Sequence, residues 1–455
     1  MALSLQCLGG AGTVTGSRHL LDGKSQRILV GCGLFQGLKA MRERILAPFP
    51  TPPKSIGRVV LTHAHLDHSG YLPRLIRDGY RGEVLCTPAT ADLCRILLRD
   101  AAHLQEREAE QANRYGYSKH HPALPLYTVQ EAERSLLALA SQAAGVERDL
   151  GGGVHLRFAR AGHILGAATA RFRLEARTVV FSGDLGRYDD AVMLDPEPVR
   201  DADYLVLEST YGDRVHERTD PAEALFAVVE RTIGRGGTVV IPAFAVGRAQ
   251  QILHHLWRLK AAGRLGLVPI FLDSPMAIDA TDLLARHADE HRLSKDGCGA
   301  TCAVAQYVRT VEGSKALSAN AMPKIIISAS GMASGGRVLH HIKAFGGDRR
   351  NTLLFTGFQA VGTRGAKLVA GAREIKMFGQ WWPIRAAAVH LSMLSAHADA
   401  EEILRWLSAF EAPPRETFIV HGEPAASEAL RDRISRQLGW RCTVAEPFRR
   451  YELAA

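Results

Sequence analysis

Along the first half of the chain, apolar residues recur in short β-branched runs separated by glycine-bearing turns, the signature of strands. The pattern predicts strands over 3–8, 18–21 and 27–30, the first two joined as a hairpin across the glycine-rich turn 9–16. Further strands are expected at 59–62, 154–158, 168–174, 179–182 and 204–207, while 90–113 and 129–143 carry apolar residues at helical spacing. From about residue 210 the texture becomes a regular helix–strand alternation. Helices are expected at 221–233, 248–261 and 336–345, and strands at 238–242, 269–273, 324–328 and 352–355, with an irregular glycine- and cysteine-bearing segment near 294–322. This predicts an α/β protein in which a parallel α/β unit, 210–385, is inserted into a larger layered domain made of 1–209 and 386–455.

Composition narrows the class. A chain of 455 residues exceeds the usual single domain, and 46% hydrophobic with 23% charged residues is the balance of a water-borne globular protein. No apolar run reaches the length that spans a bilayer, and the first residues lack a basic, apolar leader. Seven scattered cysteines make no disulfide framework, so reduced thiols and a cytoplasmic location are expected. The net charge of +9 favours a polyanionic partner once the site chemistry also points to phosphate.

That chemistry is concentrated at one point. His63, His65, Asp67 and His68 fall within six residues, directly after the apolar run Val59, Val60 and Leu61. An extended segment sends His63 and His65 to the same side, and the turn that follows lets Asp67 and His68 aim at a second point nearby. Imidazoles and a carboxylate at this density suit zinc or a similar ion, and the geometry invites two ions. His163, between two expected strands, and Asp184, just after another, stand in similar settings. Either alone is more often a buried histidine or a turn carboxylate; beside the hexad both read as ligands.

In this order the residues resemble the metallo-β-lactamase fold, an αββα sandwich. Glu208 in Leu207-Glu208-Ser209-Thr210, His397 in Ser395-Ala396-His397-Ala398-Asp399 and His421 in Val420-His421-Gly422-Glu423 resemble motifs A, B and C of its β-CASP subgroup. The resemblance runs along essentially the whole chain, including the inserted α/β domain, and a histidine at the third motif goes with RNA-processing nucleases. One position departs from the family: Gly31 stands where an aspartate that orients the hexad is usual. Losing a group of that kind commonly weakens metal affinity or activity by about 10–100-fold.

The resemblance implies one Zn2+ on His63, His65 and His163, another on Asp67, His68 and His421, and Asp184 bridging the two ions. It implies a phosphodiesterase acting on single-stranded RNA in the crevice between the domains. Asp67, Glu208 and His397 would be its catalytic residues, with Glu208 orienting His397 toward the leaving oxygen. Ser330, Gly331 and Arg337, in a loop between a strand and a helix, are expected phosphate contacts. Tyr211, Arg214 and Arg248 are weaker candidates for the same groove. The adjacent pairs His120–His121, His254–His255 and His340–His341 lack ligand spacing and are assigned no metal. The resemblance also allows a homodimer. The rival readings are a catalytically weakened RNA-binding subunit, which Gly31 keeps open, and a DNA-directed nuclease, which His421 opposes.

Overall fold

The computed structural model describes residues 3–37, 39–116 and 118–454. The chain divides into two units, one of residues 1–188, 195–215 and 397–455, the other of residues 189–194 and 216–396.

The first unit contains two seven-stranded sheets. One runs in the order Arg450–Glu452, Ser4–Gly9, Arg18–Asp22, Arg27–Val30, Arg58–Val60, Val84–Cys86, Leu139–Ser141; the other runs Cys442–Val444, Glu416–Val420, Tyr204–Glu208, Arg177–Phe181, Ala168–Leu174, His155–Arg160, Glu147–Asp149. Their inner faces share one core. Leu5, Leu21, Ile28, Val30 and Val60 of the first sheet pack in the same cluster as Phe158, Phe172, Val179, Phe181, Val206 and Phe418 of the second. Helices, among them Pro88–Tyr115 and Pro424–Leu438, complete the αββα sandwich that the motifs imply.

The second unit is built on a six-stranded sheet, Gln306–Tyr307, Ile270–Leu272, Ile325–Ser328, Val239–Pro242, Thr352–Phe355, Ala387–His390, in which every recorded pairing is parallel. Separate apolar clusters cover it, one containing Ile241, Leu253, Leu272 and Ile327, the other Val240, Ile326, Leu353 and Phe355. Strands covered on both faces read as unbroken apolar runs, and 325–327 is three isoleucines.

Three expectations change. The helix read over 129–143 ends at Leu136, because Leu139–Ser141 instead pairs with Val84–Cys86 and extends the first sheet. The irregular stretch 294–322 holds two helices, Lys295–Ala303 and Val311–Ala319, each begun by a hydroxyl cap, Ser294 or Thr310, on the N–H of Gly297 or Gly313. A hairpin of Glu374–Met377 and Gln380–Pro383, absent from the sequence reading, follows the last predicted strand. No helix among the described residues is long and apolar enough to cross a membrane.

Phe172 is fully buried and meets Phe181 edge to face, with ring centroids 5.7 Å apart. Phe172→Ala is expected to destabilise the first unit by about 3–5 kcal/mol, read as a lower midpoint in denaturant unfolding.

Candidate metal centre

Parallel strands deliver the site residues from their carboxyl ends. His63 lies three residues past Arg58–Val60, and Asp184 three past Arg177–Phe181. Glu208 is the last residue of its strand, paired with Val420, and His421 is the next residue along. Side chains at such ends escape the sheet pairing and converge on one side of it.

Backbone contacts hold the hexad rigidly. The N–H groups of Ser17, Cys32 and Leu34 donate to the carbonyls of Asp67, His68 and Leu66, at 2.8, 2.7 and 2.8 Å. This approach requires Gly33, since a Cβ there would fall 1.6 Å from the Asp67 carbonyl oxygen. His163 sits in a loop pinned at Gly166, whose carbonyl accepts from the hydroxyls of Thr87 and Thr90 at 2.6 and 2.9 Å. His421 has a φ of +50°, and its N–H donates to the Gly10 carbonyl at 2.5 Å. The glycine-rich turn 9–16 therefore braces the site. Sequence reasoning saw the glycines but not this task; the supports Ser17, Thr87, Thr90 and Thr210 gave no separable signal.

All seven expected ligands come together in the first unit. His63, His65, His163 and Asp184 offer ligand atoms within 4.8 Å of one another, as do Asp67, His68 and His421. Asp184 faces both groups with different oxygens. Its Oδ2 lies 3.4 Å from His63 Nε2 and 3.8 Å from His163 Nε2, while its Oδ1 lies 3.2 Å from His68 Nε2 and 3.5 Å from His421 Nδ1. His421 Nε2 is 3.4 Å from Asp67 Oδ2, and His163 Nε2 is 3.2 Å from His65 Nδ1.

These residues fit a bound cation. His63 Nε2 and Asp184 Oδ1 are buried and make no hydrogen bond of acceptable geometry, which for polar atoms in an interior calls for a partner. Among the described residues no lysine or arginine pairs with Asp67, Asp184 or Glu208, so imidazoles are the only side-chain cations set against these three carboxylates. Burial, reinforced by His68, holds His63 well below its usual pKa, and burial also lowers His65 against the pull of Asp67 and Asp184. Both are thus neutral at neutral pH, the form in which an imidazole can ligate a metal. At His421 burial is outweighed by the carboxylates of Asp184 and Asp67, which raise it to about 9. A proton and a metal cation compete for that position, so metal binding there releases a proton.

Glu208 could ligate together with Asp184 and His421, but both of its oxygens already accept hydrogen bonds. Oε1 takes the Leu185 N–H at 2.6 Å and Oε2 the Thr210 N–H at 3.3 Å, while His397 Nδ1 lies 3.3 and 3.2 Å from the two oxygens. Burial would lower His397, yet the Glu208 carboxylate raises it above the usual histidine value. The side chain of His397 is 16% exposed against 1% for Glu208, so the histidine is the member of the pair a substrate can reach.

Gly31 adopts a φ of +75°, and a Cβ there would lie 2.5 Å from the Ser17 carbonyl oxygen. Ser17 Oγ is in turn 3.4 Å from His68 Nε2. The backbone is thus shaped for glycine at the position where the family usually carries aspartate.

The remaining expected residues, apart from Tyr211 and Arg214, belong to the second unit. Arg337 donates to Asp273 Oδ1 at 2.6 Å and to the carbonyls of Val308 and Arg309 at 3.0 and 2.7 Å, so its guanidinium braces the sheet end. Ser330 Oγ accepts from the Ser334 N–H at 3.0 Å, and a Cβ on Gly331 would fall 2.8 Å from the Phe244 nitrogen. Arg248 is buried and bonded to Gln251; in the first unit, Arg214 pairs with Asp213 at 2.7 Å. His341 is held by Asp273 at 2.7 Å and His254 by Thr301 at 3.1 Å.

Comparison with known proteins places these observations. The profile of the metallo-beta-lactamase superfamily matches residues 12–227, that of the Beta-Casp domain 249–368, and that of the Zn-dependent metallo-hydrolase RNA specificity domain 381–445. The chain is 38% identical over 430 residues to Ribonuclease TTHA0252 of Thermus thermophilus, covering 93% of this chain and 94% of the relative. It is 31% identical over 453 residues to Transcription termination factor FttA of Methanosarcina mazei, covering 95% of this chain and 68% of that protein. A crystal structure of a protein of unknown function from Enterococcus faecalis V583 shares the fold, with a TM-score of 0.53, 12% identity and full coverage of both chains.

Gly31→Asp, the change toward the family's usual residue, is expected to lower stability rather than improve the site, by about 1–3 kcal/mol from the left-handed backbone and the Ser17 contact. The thermal unfolding midpoint of the variant against the parent checks it.

Proposed function

The chain belongs to the β-CASP branch of the metallo-beta-lactamase superfamily, and on that premise we propose that it is a zinc-dependent ribonuclease that hydrolyses phosphodiester bonds of single-stranded RNA. One observation carries the reading: Asp184 turns one oxygen to each of two separate ligand groups. His63, His65 and His163 would hold one Zn2+, Asp67, His68 and His421 the other, and Asp184 would bridge them. When bound, such a pair activates water and neutralises charge on the phosphoryl oxygens of a diester.

The protein's own groups supply the rest. Glu208, fixed by the Leu185 and Thr210 N–H groups, orients His397 through Nδ1 and favours its protonated form. His397 is then set to donate a proton from Nε2 to the leaving oxygen. Asp67, at 21% the most exposed carboxylate of the site, takes the proton of the attacking water. The insertion at 210–385 would contribute phosphate contacts through the backbone and hydroxyl at Ser330 and Gly331, with Arg337 bracing that end of the sheet rather than touching substrate. RNA rather than DNA is supported by the RNA specificity profile over 381–445 and by the name of the Thermus relative, and a net charge of +9 supplies affinity that falls with salt. All seven cysteines are free thiols, in keeping with a cytoplasmic setting. A homodimer enters this reading through the resemblance alone.

A 5′-labelled single-stranded RNA should be cut in the presence of zinc, left intact after chelation, and left intact by His65→Ala. A folded, zinc-loaded parent protein that binds the RNA without cutting it would overturn the reading in favour of an RNA-binding subunit. Glu208→Gln should lower kcat by about 10²–10⁴-fold while zinc content and KM stay near those of the parent, because it disturbs a proton donor rather than a ligand.

A further inference from the structure

The hairpin of Glu374–Met377 and Gln380–Pro383 carries a surface that the metal chemistry does not use. Its inner residues Ile375 and Met377 are buried in a cluster with Val338, Leu368 and Ile384, which fixes the hairpin on the second unit. Its outer side is aromatic: Phe378 is 51% exposed and Trp381 60%. Lys376 stands directly across the ladder from Trp381. Trp382 is half-buried, donates its Nε1–H to the Met377 carbonyl at 3.1 Å, and has the Lys343 ammonium 4.4 Å from its ring centroid. Phe378 stacks on His340 with centroids 4.7 Å apart and planes at 28°.

The turn is a second, independent observation. Phe378 and Gly379 connect the strands with φ of +52° and +79°. Two consecutive residues at positive φ are the mark of a turn that favours Asn-Gly or Asp-Gly. A bulky aromatic is locally disfavoured there, so the turn itself gives no reason for an exposed ring at this position.

We propose that Phe378 and Trp381 form a stacking platform for unpaired bases of RNA, with Lys376, across the ladder from Trp381, meeting an adjacent phosphate and Trp382 anchoring the hairpin from its inner face. This rests on the ribonuclease reading and extends it to a second place on the chain where substrate is held. Charge selects the occupant. From Arg364 to Arg385 the chain carries five lysines and arginines against one acidic residue, Glu374, and the neighbouring helix Arg337–Phe345 adds Lys343 beyond the Arg337 engaged by Asp273. Among the described residues neither Lys343 nor Lys376 pairs with a carboxylate. A protein interface depletes lysine from its apolar centre, whereas single-strand binding surfaces interleave rings with cations.

The test compares the parent with Trp381→Ala, Trp381→Phe and Phe378→Asn. The last replaces the ring with a residue that suits the turn, so its unfolding midpoint should not fall. Binding of a labelled single-stranded RNA is read by fluorescence anisotropy in the His65→Ala background, and cleavage in the otherwise unaltered protein. Trp381→Ala and Phe378→Asn should each weaken binding by roughly 5-fold or more and raise KM for a long RNA without changing kcat. Trp381→Phe should retain most of the affinity, which a merely structural role would not predict. Unchanged RNA affinity in the alanine and asparagine variants, while the parent still cuts RNA, overturns the platform and leaves the ribonuclease reading standing. Unchanged affinity together with a smaller sedimenting species identifies the patch as a contact between copies and also overturns it. A parent that neither binds nor cuts RNA removes both.

Discussion

A buried carboxylate shared between two groups of histidines is the interaction on which the rest of this structure depends. Asp184 is 2% exposed, has imidazoles on both oxygens and, among the described residues, has no lysine or arginine to balance it. In an interior such a charge is costly unless cations or hydrogen bonds meet it. Burial works against its ionisation, yet His421, His68 and His63 outweigh burial and hold it well below the ordinary carboxylate range. A buried carboxylate with imidazoles on both oxygens is a good receptor for divalent cations.

That constraint explains features that would otherwise look unrelated. The glycine-rich turn, the close backbone approach at Gly33 and the left-handed His421 all serve to bring strand ends from two sheets to one point. The Thr87 and Thr90 hydroxyls do the same for the His163 loop by way of Gly166. Rigid backbone, rather than long flexible side chains, sets the ligand positions, which is what a metal site needs to keep its geometry.

Much of this was legible in the chain, for definite reasons. The donor cluster was readable because His63 to His68 concentrate candidate ligands at a strand end, and the parallel unit was readable because strands such as 325–327 are uniformly apolar. The supports were not. A threonine that donates to a carbonyl 79 residues away, as Thr87 does to Gly166, leaves no local pattern. Arg337 is instructive: a glycine-rich loop before a helix suggests phosphate, and nothing local announces that Asp273, distant in sequence, also engages the guanidinium. The helices within 294–322 were obscured by glycines at 297, 299 and 313, although their serine and threonine caps were in plain view. The hairpin at 374–383 is hard to read because Glu374–Met377 alternates over four residues only, and Gln380–Pro383 carries two adjacent tryptophans and a proline in place of alternation.

The account stands or falls on Asp184 lying between two cations. Anomalous diffraction at the zinc absorption edge, from crystals of the zinc-loaded protein, measures this directly. The account predicts two peaks, one among His63, His65 and His163 and one among Asp67, His68 and His421, with the Asp184 carboxylate between them. A single peak, or one coordinated by Glu208 in place of these groups, would contradict it.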